Sequence, residues 1–109
     1  MEPIQITGIK DLDEMEIESV NRLANRYYSK IQREIKNITS LTVHIKSYEK
    51  QGREKKYSVH VKVIAPTRIF VSTKTSDWDL EKALHKSFRD VIREMQHSLH
   101  TDDQHKKGR

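Results

Sequence analysis

The sequence predicts an α+β domain of order β-α-β-β-β-α, with one mostly antiparallel four-stranded sheet and two helices packed on one face. Three observations carry this prediction. Two long stretches repeat apolar residues at three- and four-residue steps, the helical period. Four short stretches favour strand, three of them by clear alternation of apolar and polar residues. Each element has a single apolar face, and a core between one sheet face and two helices would cover them all.

The first strand is Ile4-Gln5-Ile6-Thr7, stopped by Gly8. A helical pattern runs from Asp11 to Ser40, with Ile17, Val20, Ala24, Tyr27, Ile31, Ile35 and Ile38 on its apolar side. Glu14, Glu16 and Glu18 sit where carboxylates favour a helix N-terminus. Asn37 and Thr39-Ser40 offer a stop. Leu41 to Tyr48 alternates, the polar stretch Glu49 to Lys55 with Gly52 should turn, and Tyr57, Val59, Val61 and Val63 form the next strand. Ala65-Pro66-Thr67 breaks it, because proline has no N–H to give a ladder. The β-forming stretch Arg68 to Lys74 makes the last strand. The second helix is expected from Asp77 to His100, with Ser76 and Asp79 at capping-box spacing. Leu80, Ala83, Leu84, Phe88, Val91, Ile92, Met95 and Leu99 form its stripe. The outward strand positions His44, Lys46, His60, Lys62, Ser72 and Lys74 should face water or a ligand. The domain is expected over residues 1–100, and residues 101–109, which have no periodicity, read as a flexible basic tail.

With 34% hydrophobic and 34% charged residues, the core has to be built economically. The absence of cysteine excludes disulfides and thiolate metal sites. No apolar run approaches the roughly 20 residues of a membrane span. The N-terminus has no basic stretch before an apolar segment, so a cytoplasmic protein is expected. The net charge is +5, unevenly spread: residues 22–75 carry thirteen bases and three acids, whereas residues 1–21 carry six acids and one base. Such a block favours a polyanionic partner.

Helix geometry sharpens this. At about 100° per residue, Lys82, Lys86, Arg89 and Arg93 fall on one side of the second helix, nearly opposite its apolar stripe. Arg22, Arg26, Lys30 and Arg33 form a similar row on the first. An ordinary solvated helix face mixes signs in i,i+4 pairs. Lys86–Asp90 is one such pair, but the first helix has little of the kind. Two basic tracks suit phosphates. Other candidates are weaker. His97 and His100 lie three apart, and His44 and His60 can face each other across two strands, but neither pair has a third ligand, so no metal is expected. Asp77 and Asp79 suit helix capping better than acid–base chemistry. No Gly-rich phosphate loop or nucleophile motif is present, so neither an enzyme, a cofactor nor a small-molecule substrate is expected. Trp78 either staples the start of the second helix to the core or stacks on a base. Tyr27 belongs to the core, and Tyr28 is more peripheral.

Three segments give the chain a resemblance to the ribosome hibernation-promoting factors, or ribosome-associated translation inhibitors, in their short single-domain form. Ile4-Gln5-Ile6-Thr7-Gly8 resembles the family's opening strand and glycine. Leu41 to Lys46 and Tyr57 to Val63 resemble its central hairpin. Asp79-Leu80-Glu81-Lys82-Ala83-Leu84 resembles its Asp-Leu-Tyr-x-Ala-Ile helix start. Glu81 stands where the family has tyrosine, Asp90 where lysine is common, and Ala65-Pro66-Thr67 where a glycine-containing turn is usual. The resemblance implies a fold similar to a double-stranded-RNA-binding domain. It also implies binding to ribosomal RNA in the messenger and transfer RNA channel of the small ribosomal subunit, with steric inhibition of translation. The family's contacts would map onto Arg22, Arg26, Lys30, Lys82, Lys86, Arg89 and Arg93. The alternatives are a module for other structured RNA and a protein–protein adaptor.

Overall fold

The computed structural model describes residues 3–35, 37, 40–49, 55–72 and 75–107. The elements are β1 (Ile4–Thr7), α1 (Glu14–Glu34), β2 (Ser40–Glu49), β3 (Lys55–Ile64), β4 (Ile69–Val71), β5 (Thr75–Asp77) and α2 (Leu80–Lys107). The α+β class and the two-helix, one-sheet architecture are as the periodicities predict. The sheet is mixed. β1 runs parallel to β2, as a strand–helix–strand crossover allows, and the other pairings are antiparallel. Its order is β1-β2-β3-β4, and β5 also pairs with β3.

One core holds both layers together. Leu41, Val43 and Ile45 of β2 and Val59, Val61 and Val63 of β3 are all buried at alternate positions. Over them lie Val20, Leu23, Ala24, Tyr27 and Ile31 of α1, and Leu84, Phe88, Val91 and Met95 of α2. Burying a Leu- or Phe-sized side chain contributes about 1.5–3 kcal/mol, so this cluster sets the fold. Leu23, absent from the predicted stripe, is 1% exposed and belongs to it.

Several boundaries differ from expectation, each for a local reason. α1 ends at Glu34 because Ile35 turns extended (φ −131°, ψ 110°) to lead towards β2; Ile38 and Gly52 lie outside the described residues. At its start, the Asp13 side chain accepts from Glu16 N while Glu16 Oε1 accepts from Asp13 N, a reciprocal cap. The expected last strand is split. Lys62 pairs with Val71, but Val59 pairs with Thr75, so this chain spends one more residue than β3 over the same span. Ser72 is therefore buried rather than outward-facing. Its Oγ accepts from Val61 N at 2.9 Å and meets Ser87 Oγ at 2.7 Å, and Ser87 donates to Val59 O. The offset also turns Thr75 and Asp77 towards the helices. Lys74 lies outside the described residues.

α2 is capped by Asp79, not Ser76. Asp79 Oδ1 accepts from the backbone N–H groups of Glu81 and Lys82, and Ala83 N donates to Asp79 O. The helix continues to Lys107, past its last apolar residue Leu99 and into the segment read as a tail, because extending a formed helix adds a hydrogen bond per residue fixed. Among the described residues no helix is long and apolar enough to cross a membrane.

Candidate nucleic-acid interface

The two helices run side by side in the same direction. Residue contacts climb together along both: Arg22 with Glu81, Tyr27 with His85 and Phe88, Glu34 with Gln96. This parallel placement brings the later half of each predicted basic row to the rims of one groove. Lys30 and Arg33 from α1 and Arg89 and Arg93 from α2 line a cleft of about 520 Å³. Tyr27 and Ile92 lie in the same lining, and Glu34 contributes the one carboxylate there.

The groove is built on rigid parts. The Tyr27 ring stacks on Phe88 with centroids 4.6 Å apart and planes 4° from parallel. Its hydroxyl meets His85 Nδ1 at 2.6 Å. Lys30 Nζ sits 5.4 Å from the Tyr27 ring centre, a cation–π placement that holds the ammonium at the rim. Tyr27 is thus core and floor together, as its place in the stripe implied.

The structure does not treat all eight predicted cations alike. Lys30, Arg33, Arg89 and Arg93 share the groove, and no carboxylate among the described residues forms an ion pair with Arg89 or Arg93. Arg26 and Lys82 are exposed on the same helices. Arg22 is tied to Glu81 at 2.8 Å. Lys86 reaches Asp77 at 2.8 Å, on the sheet-edge side of α2, and not Asp90 as helix spacing suggested. The reason is the split strand, which turns Asp77 towards α2. The Lys86 ammonium, followed by the Asp79 N–H at 3.0 Å, holds the Asp77 carboxyl below the usual carboxylate range. The Arg22–Glu81 pair is half exposed at both members, the class of ion pair worth about 0–1 kcal/mol. In the other pair the Lys86 ammonium is half exposed and Asp77 only 20% so, which still leaves either cation within reach of a phosphate.

His44 and His60 do face each other across β2 and β3, and Thr7 Oγ1 lies 2.6 Å from His44 Nδ1. Among the described residues no group of three metal-binding side chains forms. Trp78 does not staple the helix to the core; it is 50% exposed, with Lys56 Nζ 5.8 Å from its ring centre. Tyr28 is half-buried against the core. The sequence matches no family model and no curated protein.

Proposed function

We propose that this chain is an RNA-binding protein that grips the phosphate backbone of a folded RNA in the groove between α1 and α2. The observation that carries the reading is the convergence of Lys30, Arg33, Arg89 and Arg93, from two helices, on one open cleft with a single carboxylate. Guanidinium forks give bidentate donors and the ammonium a point charge, which together suit phosphate oxygens. Backbone contacts of this kind position a protein without reading sequence, and folded RNA is recognised largely by shape and backbone.

The resemblance to hibernation factors narrows the RNA to that of the small ribosomal subunit. In that reading the protein occupies the channel of messenger and transfer RNA in the cytoplasm and blocks translation by its presence. The groove calls for no reaction, cofactor or small-molecule substrate. The second reading keeps the groove and exchanges the partner for another structured RNA.

The double substitution Arg89→Glu and Arg93→Glu tests the groove. Each lost phosphate contact flattens the slope of log affinity against log salt by roughly one unit. The variant should stay folded, pellet poorly with purified small subunits and fail to inhibit a cell-free translation reaction. Wild-type binding to free duplex RNA as tight as to small subunits favours the second reading. A folded variant that pellets like wild type at every salt concentration removes the groove from the binding surface.

A further inference from the structure

The sheet face turned away from the helices carries groups that the groove reading leaves unused. The strand register arranges them in rows. Tyr48 stands opposite Lys56 across β2 and β3, and Lys56 Nζ lies over the Trp78 ring. The row is aromatic, ammonium, aromatic, with Tyr48 44% and Trp78 50% exposed. The neighbouring row is Lys46, Ser58 and Ser76. Ser58 is short and only 7% exposed, so Lys46 is the charged group this row offers. Next come the His44–His60 pair and then Thr42 opposite Lys62. Among the described residues, no outward strand position is a carboxylate.

We infer that this open face is a second binding site, for single-stranded RNA, with unpaired bases stacking on Tyr48 and Trp78 and phosphates held by Lys46, Lys56 and Lys62. Exposed aromatic rings interleaved with cations offer both halves of a nucleotide their counterpart: a π-face for the base and positive charge for the phosphate. A duplex keeps its base faces stacked inside and cannot use the rings. An apolar protein surface would have to strip water from three ammonium groups without supplying charge in return. The choice of RNA as the strand follows the function proposed above; the stacking and the charge stand independently of the groove, from which the whole sheet separates this face.

Trp78 is the chain's only tryptophan, so its fluorescence reports this site directly. The full chain is titrated with an oligouridylate of about ten nucleotides, within the range of known single-strand sites. Saturable quenching is expected. Tyr48→Ala should weaken binding about tenfold and Tyr48→Phe should restore it, since stacking needs the ring and not the hydroxyl. Lys46→Glu with Lys62→Glu should also weaken binding and flatten its salt dependence by roughly 0.7 units per lost phosphate. This second variant decides the matter if Tyr48→Ala fails to fold. Arg89→Glu with Arg93→Glu should leave the quenching intact. The inference is overturned by an absence of quenching, by wild-type affinity in folded Tyr48→Ala or in the lysine double variant, or by loss of quenching in the arginine variant, which would assign the strand to the groove. Fluorescence that changes with protein concentration alone would also overturn it, in favour of self-association through this face.

Discussion

The groove between the helices and the open face of the sheet are both basic, but their charges are arranged differently. On the helix side acids reach the basic rows, two of them from other elements. Glu81 holds Arg22, Asp77 holds Lys86, and Glu34 sits in the cleft beside Arg33. On the sheet side the lysines stand beside rings, imidazoles, hydroxyls and, at Lys62, the exposed Val71, and no outward carboxylate answers them among the described residues. A helical row of cations read along one chain segment overstates its free charge, because partners arrive from other elements, Glu81 of α2 to Arg22 of α1 and Asp77 of β5 to Lys86 of α2. An outward row on a sheet is read more faithfully, because its neighbours are other outward positions of the same pattern. The groove suits a rigid, highly charged backbone; the sheet face suits a flexible strand with bases to offer.

The largest effect should come from beneath both surfaces. Phe88 is fully buried, stacks on the groove floor at Tyr27 and belongs to the core that carries the sheet. Phe88→Ala should cost about 3–5 kcal/mol, and thermal melting should show it. Both proposed binding activities should fall together. A variant that loses the groove and keeps the Trp78 quenching would show that the two faces do not share one support. Gly8→Ala is a comparably severe change at the sheet. Gly8 has φ +86°, and a Cβ there would lie 1.8 Å from the carbonyl oxygen of Ile45. Neither the backbone of β2 nor the alanine can yield cheaply, so β1 should be displaced from the sheet.

Ser72→Ala should have an intermediate effect. It removes the acceptor of the Val61 N–H and one partner of Ser87, both in the interior. An unsatisfied buried group costs about 1–3 kcal/mol. A urea midpoint should fall accordingly. Asp77 depends on the same strand offset to meet Lys86, so a loosened offset should release Lys86 for RNA and blur the contrast between the two faces.

That offset also marks where the sequence stops being legible. The apolar stripe of α2 and the alternation of β2 and β3 were readable because burial imposes their periods directly. The basic rows were readable for the same reason, as the complement of those stripes. Ser72 looked like an outward polar residue because alternation was continued through a break that only pairing with β3 reveals. Asp77 stands at the start of the expected second helix, although it closes a strand and meets a lysine nine residues on. The reciprocal cap of Asp13 and Glu16 was available as a D-x-x-E signal just ahead of the apolar stripe. The parallel packing of α1 on α2, which turns two rows into a groove, had no signal in either helix alone.

A smaller effect separates the seam of the molecule from both faces. The Tyr57 hydroxyl on β3 donates to Glu16 at the start of α1. Burial, and then the Glu16 carboxylate, push the phenol up from 10.0 to about 12. The folded value lies above the unfolded one, so the stabilisation is complete below pH 10 and is lost as pH rises towards about 12. Chemical denaturation across that window should show wild type losing stability more steeply than Tyr57→Phe. Equal slopes would mean that the phenol ionises as freely in the folded state as in the unfolded one. At neutral pH both proposed binding activities of a folded Tyr57→Phe should be unchanged, since the residue lies on neither surface.

The smallest expected change bears most directly on the contrast between the faces. Glu81 Oε2 accepts from Arg22 Nη2 at 2.8 Å and from Ser19 Oγ at 2.9 Å, and both members of the ion pair are about half exposed. Glu81→Gln keeps an acceptor for Ser19 and removes the charge that holds Arg22. The lost surface pair costs about 0.2–1 kcal/mol, and losing a carboxylate from the first turn of α2 adds about 0.3–1 kcal/mol. Melting should therefore fall slightly. Arg22 is then free to join Arg26 and Lys30 on its row, so binding to small subunits should tighten. The salt slope should steepen by roughly one unit if the guanidinium reaches a phosphate. Trp78 quenching by oligouridylate should not move, because Glu81 lies on the helix side. Weaker binding in the folded variant would mean the reverse: Arg22 acts only when Glu81 holds its fork in place, and the acids of the helix side position the cations instead of competing for them.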